Sequence, residues 1–252
     1  MASGVAIVGI KAQPADLDTI ADFAAAIAGQ VTNVELENVA KDLEAKSLRI
    51  SGLFGELENY TDARLGALIL GETFLSRRKR REISATVPDG VLCDALLVLG
   101  DVSRDPFSRL APLIALVAPL GEGATDVAYE LLHFLEPERF CLATSWVWNP
   151  VTETGSLKLL LDEEYDLFGD SDLDGFSRVN FAVDYLGETI DAAGLLMGQN
   201  KRFAMDVFLA GVYGIYMSTV LEMRMTKEFN KILPPLLQLT RRLLGVYQKE
   251  GK

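Results

Sequence analysis

The sequence predicts a mainly α, multi-helix globular fold with at most a small β-hairpin near residues 140–161. Three observations lead there. Apolar residues recur at three- and four-residue spacing through most of the chain, which places them on one face of a helix. Proline, glycine and small capping residues punctuate the ends of those stretches. The most strand-like stretch is Phe140 to Leu161.

The first apolar run, Val5 to Ile10, reads as a short strand or an extended entry segment. Leu17, Ile20, Phe23 and Ile27 then carry helical spacing, with Pro14 ahead of them and Gly29 as the stop. Asn33 is the expected cap of a second helix bearing Val34, Leu36, Val39 and Leu43. Arg64 to Glu82 reads as one long helix, apolar in front and basic behind, so that its cations complement the C-terminal end of the dipole. The turn Val87 to Gly90 breaks the first half, and a short helix is expected from Gly90 to Val102. Thr125 to Leu135 is strongly helical and Pro137 ends it. Phe140 to Trp148 and Ser156 to Leu161 are the two arms of the expected hairpin. Helices follow at about Arg178–Met197, Arg202–Met225 and Leu236–Tyr247.

The chain has 252 residues, 49% of them apolar and 24% charged, enough for one sizeable core. A single helical domain over 1–252 is the expectation. The alternative is two halves, 1–161 and 176–252, joined by the acidic loop 162–175. Leu110 to Leu120 and Val207 to Leu221 are the most apolar segments, and both are shorter than the roughly 20 residues a membrane span needs. They read as buried core, with Asp206 and Glu222 bracketing the second, and no membrane partner is expected. The N-terminus has no basic residue ahead of its short apolar run, so no signal peptide is expected. Cys93 and Cys141 are too few for a disulfide framework, and two free thiols point to the cytoplasm.

Several chemistries are excluded or weakened. His133 is the only histidine, so no multi-histidine metal centre forms within one chain. Glu130 and His133 have the spacing used in di-iron bundles, but those need two such pairs. The expected role of His133 is packing beside Phe134. Cys141 follows His133 by eight residues, close enough for a nucleophile and base, yet Phe140 and Leu142 place it in core. No nucleophile elbow, phosphate-binding loop or dinucleotide fingerprint is present.

Gly121 and Gly123 form a glycine turn leading into a helix, a geometry that exposes backbone N–H groups to phosphate. With Ala128, Leu132, His133, Phe134, Pro137 and Phe140, this turn resembles the hairpin and following helix of the helix-hairpin-helix DNA glycosylase superfamily, over residues 119–148. The resemblance implies an all-helical scaffold, and it departs at the residues that perform the family's chemistry. Asp126 stands where bifunctional members carry lysine. Ala143, Thr144 and Ser145 occupy the place of the catalytic aspartate. The spacing after Gly123 is a residue longer, and no cysteine set for an iron–sulfur cluster is present. The resemblance thus implies a degenerate scaffold that has lost glycosidic-bond cleavage.

Three other features bear on binding. Arg77, Arg78, Lys79, Arg80 and Arg81 form a dense basic run in a chain of net charge −12. Such a run is a solvated helix end, a dock for an acidic protein, or a phosphate-neutralising patch on nucleic acid. Asp170, Asp172, Asp174 and Gly175 match the first half of a calcium-binding EF-hand loop, but its eighth position is Ser177 and its twelfth, normally glutamate, is Phe181. Gly211 and Gly214 sit in a long apolar run, and the last helix is leucine-rich, which suggests close packing and a protein partner or self-association.

The functional expectation is therefore a non-catalytic helical interaction protein or complex subunit, with no cofactor besides the Ca2+ motif. The alternative is a DNA-binding or DNA-repair protein using Gly121, Gly123 and the basic run. An enzyme with an unfamiliar active site is the third class.

Overall fold

Two long helices, Asn33–Glu58 and Lys201–Arg224, form the spine of the fold. The computed structural model describes residues 16–58, 64–121, 123–195, 200–224 and 234–247. Among them the chain runs through eleven α-helices and no strand: α1 Leu17–Ala28, α2 Asn33–Glu58, α3 Leu65–Gly71, α4 Arg77–Thr86, α5 Asp89–Gly100, α6 Pro106–Val117, α7 Asp126–Leu135, α8 Ser156–Leu160, α9 Asp172–Ala192, α10 Lys201–Arg224 and α11 Leu236–Leu243. A single 3-10 turn, Ala118–Leu120, extends α6. The fold class is mainly α, as the periodicity predicts. The strand expected at Val5 to Ile10 lies outside the described residues.

Local chemistry sets the helix starts. Asp16 caps α1 by accepting from the amides of Asp18 and Thr19. Thr32, rather than the expected Asn33, caps α2. Its hydroxyl accepts from the Glu35 amide at 3.3 Å, while the Glu35 carboxylate accepts from the Thr32 amide at 2.9 Å. That reciprocal pair is a capping box. Asp105 caps α6 through the amides of Phe107 and Ser108, with Pro106 at the first helical position.

Two expected elements differ. The long helix at 64–82 is broken between Gly71 and Arg77. Thr73 turns its hydroxyl onto the Leu70 carbonyl, the Phe74 amide donates to the Glu130 carboxylate, and Ser76 recaps the chain by accepting from the Lys79 amide. The basic run therefore opens α4 instead of closing α3. The expected hairpin at 140–161 reduces to one antiparallel bridge, Asn149 to Thr154, followed by the short helix α8. Backbone donors that a ladder would use go elsewhere: the Cys141 amide to the Asn180 side chain, the Ser145 amide to Asp126, and the Val147 amide to the Thr144 carbonyl.

A cluster of buried apolar side chains extends from Ile20 in α1 to Leu244 beyond α11. α10 packs against α1, α2, α8, α9 and α11, and α2 against α3, α5, α7, α10 and α11. Gly211 and Gly214 leave notches on α10 that receive the side chains of Ile27 and Leu236; an added Cβ would sit 2.8 and 2.6 Å from them. Lys201–Val220 is long and apolar enough to cross a membrane by length and composition, and 61% of its most apolar stretch is buried against the other helices.

Charge is also buried. Lys46 lies on the stripe of Val39, Leu43, Ile50 and Leu57 and is fully enclosed. Its ammonium meets Glu130 of α7 at 2.5 Å and the Leu244 carbonyl at 2.9 Å, and lies over the Phe134 ring. Burial pushes the Glu130 carboxyl up from its ordinary value, and the Lys46 charge opposes that shift. Removing one member of such a pair leaves an uncompensated charge in the core, at a cost of about 3–5 kcal/mol. Denaturant unfolding should therefore show Lys46→Met destabilised by about that much. Lys46→Met with Glu130→Leu should recover part of the loss, the remainder reflecting the orphaned Phe74 amide and Leu244 carbonyl. A single Lys46→Met variant as stable as the wild type would contradict the pair's role.

Candidate functional site

The break before α4 decides how the basic run is presented. Lys79 and Arg80 are turned inward as caps. The Lys79 ammonium donates to the carbonyl of Leu120, the last residue of the 3-10 turn, and the Arg80 guanidinium donates to the Gly71 carbonyl at 2.9 Å, closing the end of α3. Arg77, Arg78 and Arg81 are exposed. Arg77, Arg80 and Arg81 border an open cleft against Ala67 of α3.

These three exposed arginines differ from most others in the chain. Arg49, Arg104, Arg109, Arg139, Arg178, Arg202 and Arg241 each pair with a carboxylate. Arg77, Arg78 and Arg81 pair with none among the described residues. They also occupy the first turn and a half of a helix, where the dipole is positive and the leading amides have no acceptor within the helix. Like charges gathered at that end are destabilising until an anion arrives.

The glycine turn adjoins this surface. The Lys79 contact to Leu120 places the start of α4 directly beside Gly121. Gly121 and Gly123 have φ of 87° and 72°, the left-handed region that glycine adopts without strain, and they swing the chain from the 3-10 turn into α7. Lys79 thus ties the start of α4 to the glycine turn, while Arg77 and Arg81 border the cleft against α3.

Past the turn, Asp126 opens α7, and its carboxylate accepts from the Ser145 amide at 2.9 Å and from the Ser145 hydroxyl. The two positions at which the sequence departs from the glycosylase pattern are in contact. They border a cavity of about 480 Å3 that also meets Tyr129, Trp148, Phe168 and Asp172.

The other candidates fall elsewhere. Asp172 and Asp174 lie in the first turn of α9, where Ser171 is the cap. Asp174 accepts from the Asp170 amide and from Arg178, which also holds Asp166. Among the described residues no three His, Cys, Asp or Glu side chains converge on a point that would hold a metal ion. His133 is enclosed, edge-on to Phe134 with ring centroids 4.9 Å apart. Its Nδ1 donates to the Phe140 carbonyl at 2.7 Å, and its Nε2 shares a proton with Asp206 at 2.8 Å. Asp206, expected to bracket the apolar run of α10, is instead buried in it. Cys141 is 1% exposed, and burial pushes its thiol far above the ordinary range, which disfavours the nucleophilic thiolate.

No family model, curated protein or solved structure matches this chain.

Native-state alkylation with iodoacetamide should leave Cys93 and Cys141 unmodified, and denaturation should expose both. Rapid labelling of Cys141 in the folded protein would contradict this description of its environment.

Proposed function

We propose that this chain is a non-catalytic binding protein that grips the phosphate backbone of nucleic acid through the face formed by the start of α4 and the Gly121–Gly123 turn. The observation that carries the reading is the cluster of exposed Arg77, Arg78 and Arg81. Together they give net positive charge to the start of a helix, in a chain of net charge −12, and the neighbouring Lys79 ties that helix to a turn built from left-handed glycines. Guanidinium groups present several donors in a fixed fork and suit phosphate oxygens. The positive end of α4 adds to their field.

The resemblance of residues 119–148 to the helix-hairpin-helix glycosylases supports the same face as the one that meets nucleic acid. The absence of lysine at 126, and the hold of Ser145 on Asp126, support binding without glycosidic-bond cleavage. Away from this face the acidic surface repels a polyanion, so contact is confined to a small footprint and affinity is modest.

Fluorescence anisotropy with a short labelled duplex tests the reading, using wild type and Arg77→Ala/Arg78→Ala/Arg81→Ala. That variant keeps the two caps, Lys79 and Arg80. Three phosphate contacts predict that affinity falls roughly fortyfold between 50 and 200 mM salt, from a log–log slope of about −2.7. The variant should lose nearly all binding. Absence of binding at low salt, or binding unchanged in the variant, would remove the nucleic-acid reading. Saturable binding of an acidic peptide without binding of the duplex would reassign the face to a protein partner.

A further inference from the structure

The cleft between α3 and α4 gathers more donors than a grip on continuous backbone needs. Arg77, Arg80, Arg81, Ser84 and Ala85 line it from α4, and Ala67 lines it from α3. Positions three, four, seven and eight apart lie on one face of a helix, so three guanidinium groups and a hydroxyl border the same space. No carboxylate borders it among the described residues. Arg78 is exposed but stands off this wall, about 100° round the helix from Arg77.

Two polar groups of the cleft are left over. The Arg80 guanidinium gives Nη1 to the Gly71 carbonyl, while its Nε is shielded from water and has no hydrogen-bond partner among the described residues. Buried donors are nearly always met, so an orphan at the wall of a cleft calls for an acceptor. Ser84 is the second. Helical hydroxyls in this chain turn back to the carbonyl four residues earlier, as those of Thr86, Ser177 and Thr189 do. The Ser84 hydroxyl is exposed and makes no hydrogen bond among the described residues.

Groups of this kind, crowded into one cleft, suit a single anion with several acceptor oxygens. An internal phosphodiester carries one charge and repeats along the strand, which suits cations in a row. A phosphomonoester carries a charge of about −1.5 to −2 at neutral pH and three strong acceptor oxygens. Arginine forks meet such oxygens two at a time. We infer that the cleft seats the terminal phosphate of a nucleic-acid strand. Arg77 and Arg81 hold it, the Ser84 hydroxyl and the Arg80 Nε are further donors, and Arg78 outside the cleft meets a neighbouring phosphodiester. This rests on the reading of the α4 face as one that grips nucleic acid, and adds a preference for strand ends. A free nucleoside monophosphate presents the same phosphomonoester but no diester for Arg78.

Anisotropy with internally labelled duplexes tests the preference. The ends carry hydroxyls, 5′-phosphates or 3′-phosphates, and a hydroxyl-ended duplex one base pair longer adds two diesters without a phosphomonoester. Phosphate at one type of end should tighten binding at least about tenfold, the worth of one charge-assisted hydrogen bond, and the longer duplex should not. Arg77→Ala/Arg81→Ala should abolish the preference and Ser84→Ala should reduce it several-fold. Arg78→Ala should weaken all duplexes alike and keep the ratio. Equal affinity for hydroxyl and phosphate ends, or a preference that survives Arg77→Ala/Arg81→Ala, would overturn the inference and leave the binding of duplex to be judged separately. No binding of any duplex would remove both. Deoxyadenosine monophosphate competing as tightly as the phosphate-ended duplex would overturn the strand end as occupant and reassign the cleft to a free phosphomonoester.

Discussion

The buried ion pair between Lys46 and Glu130 is the constraint from which the arrangement of this protein follows. Two charges in a hydrocarbon core are costly unless their remaining donors and acceptors are met, and here they are met by two distant parts of the chain. Glu130 brings α7 to α2 and takes the Phe74 amide, while Lys46 takes the carbonyl that ends α11. The pair thereby joins α2, α7, α11 and the link between α3 and α4. Gly245 fits the same junction closely: an added Cβ would lie 2.7 Å from the Lys46 ammonium and 3.0 Å from the Phe74 backbone.

The consequence reaches the surface. Holding Phe74 by its amide takes that residue out of a helix, and Ser76 then starts a new one. Five cations that would have stabilised the end of one helix are placed at the beginning of another, where the dipole opposes them. Two of the five are absorbed as caps. The others face solvent and make no ion pair among the described residues, in a protein whose remaining arginines are mostly paired. Local arrangements that disfavour the folded state in isolation are often sites of function, and this is the physical basis for reading the face as an anion dock.

How much of this was legible in the sequence differs by element. Helical periodicity was strong where one face is apolar, as in Leu17 to Ile27 and Thr125 to Leu135, and those helices lie where expected. The glycine turn was legible because left-handed backbone calls for glycine. The 64–82 break was not, because the residue that forces it, Glu130, is far away in sequence. One local hint existed: Gly71, Thr73 and Ser76 are a helix stop and a cap in succession. The hairpin failed for the same reason, since Asp126 and Asn180 take backbone donors that a local reading assigns to a partner strand. Lys46 goes unremarked in the local reading, and Asp206 reads as a bracket of its apolar run where the structure buries it within the core. A lysine spaced with Leu43 and Ile50 is the signal that could have exposed the first. The aromatic cavity joins residues from 123 to 179 and has no contiguous motif to announce it.

The most direct test of the account is the backbone conformation of residues 64–86, read from 13Cα and 13C′ NMR chemical shifts. The account predicts helical shifts over 65–71, loss of helical character from Thr73 to Leu75, and resumption at Arg77, with the Phe74 amide protected from exchange. Uninterrupted helical shifts from 65 through 82 would contradict it. They would return the arginines to the end of a helix and remove the reason for the anion-binding face.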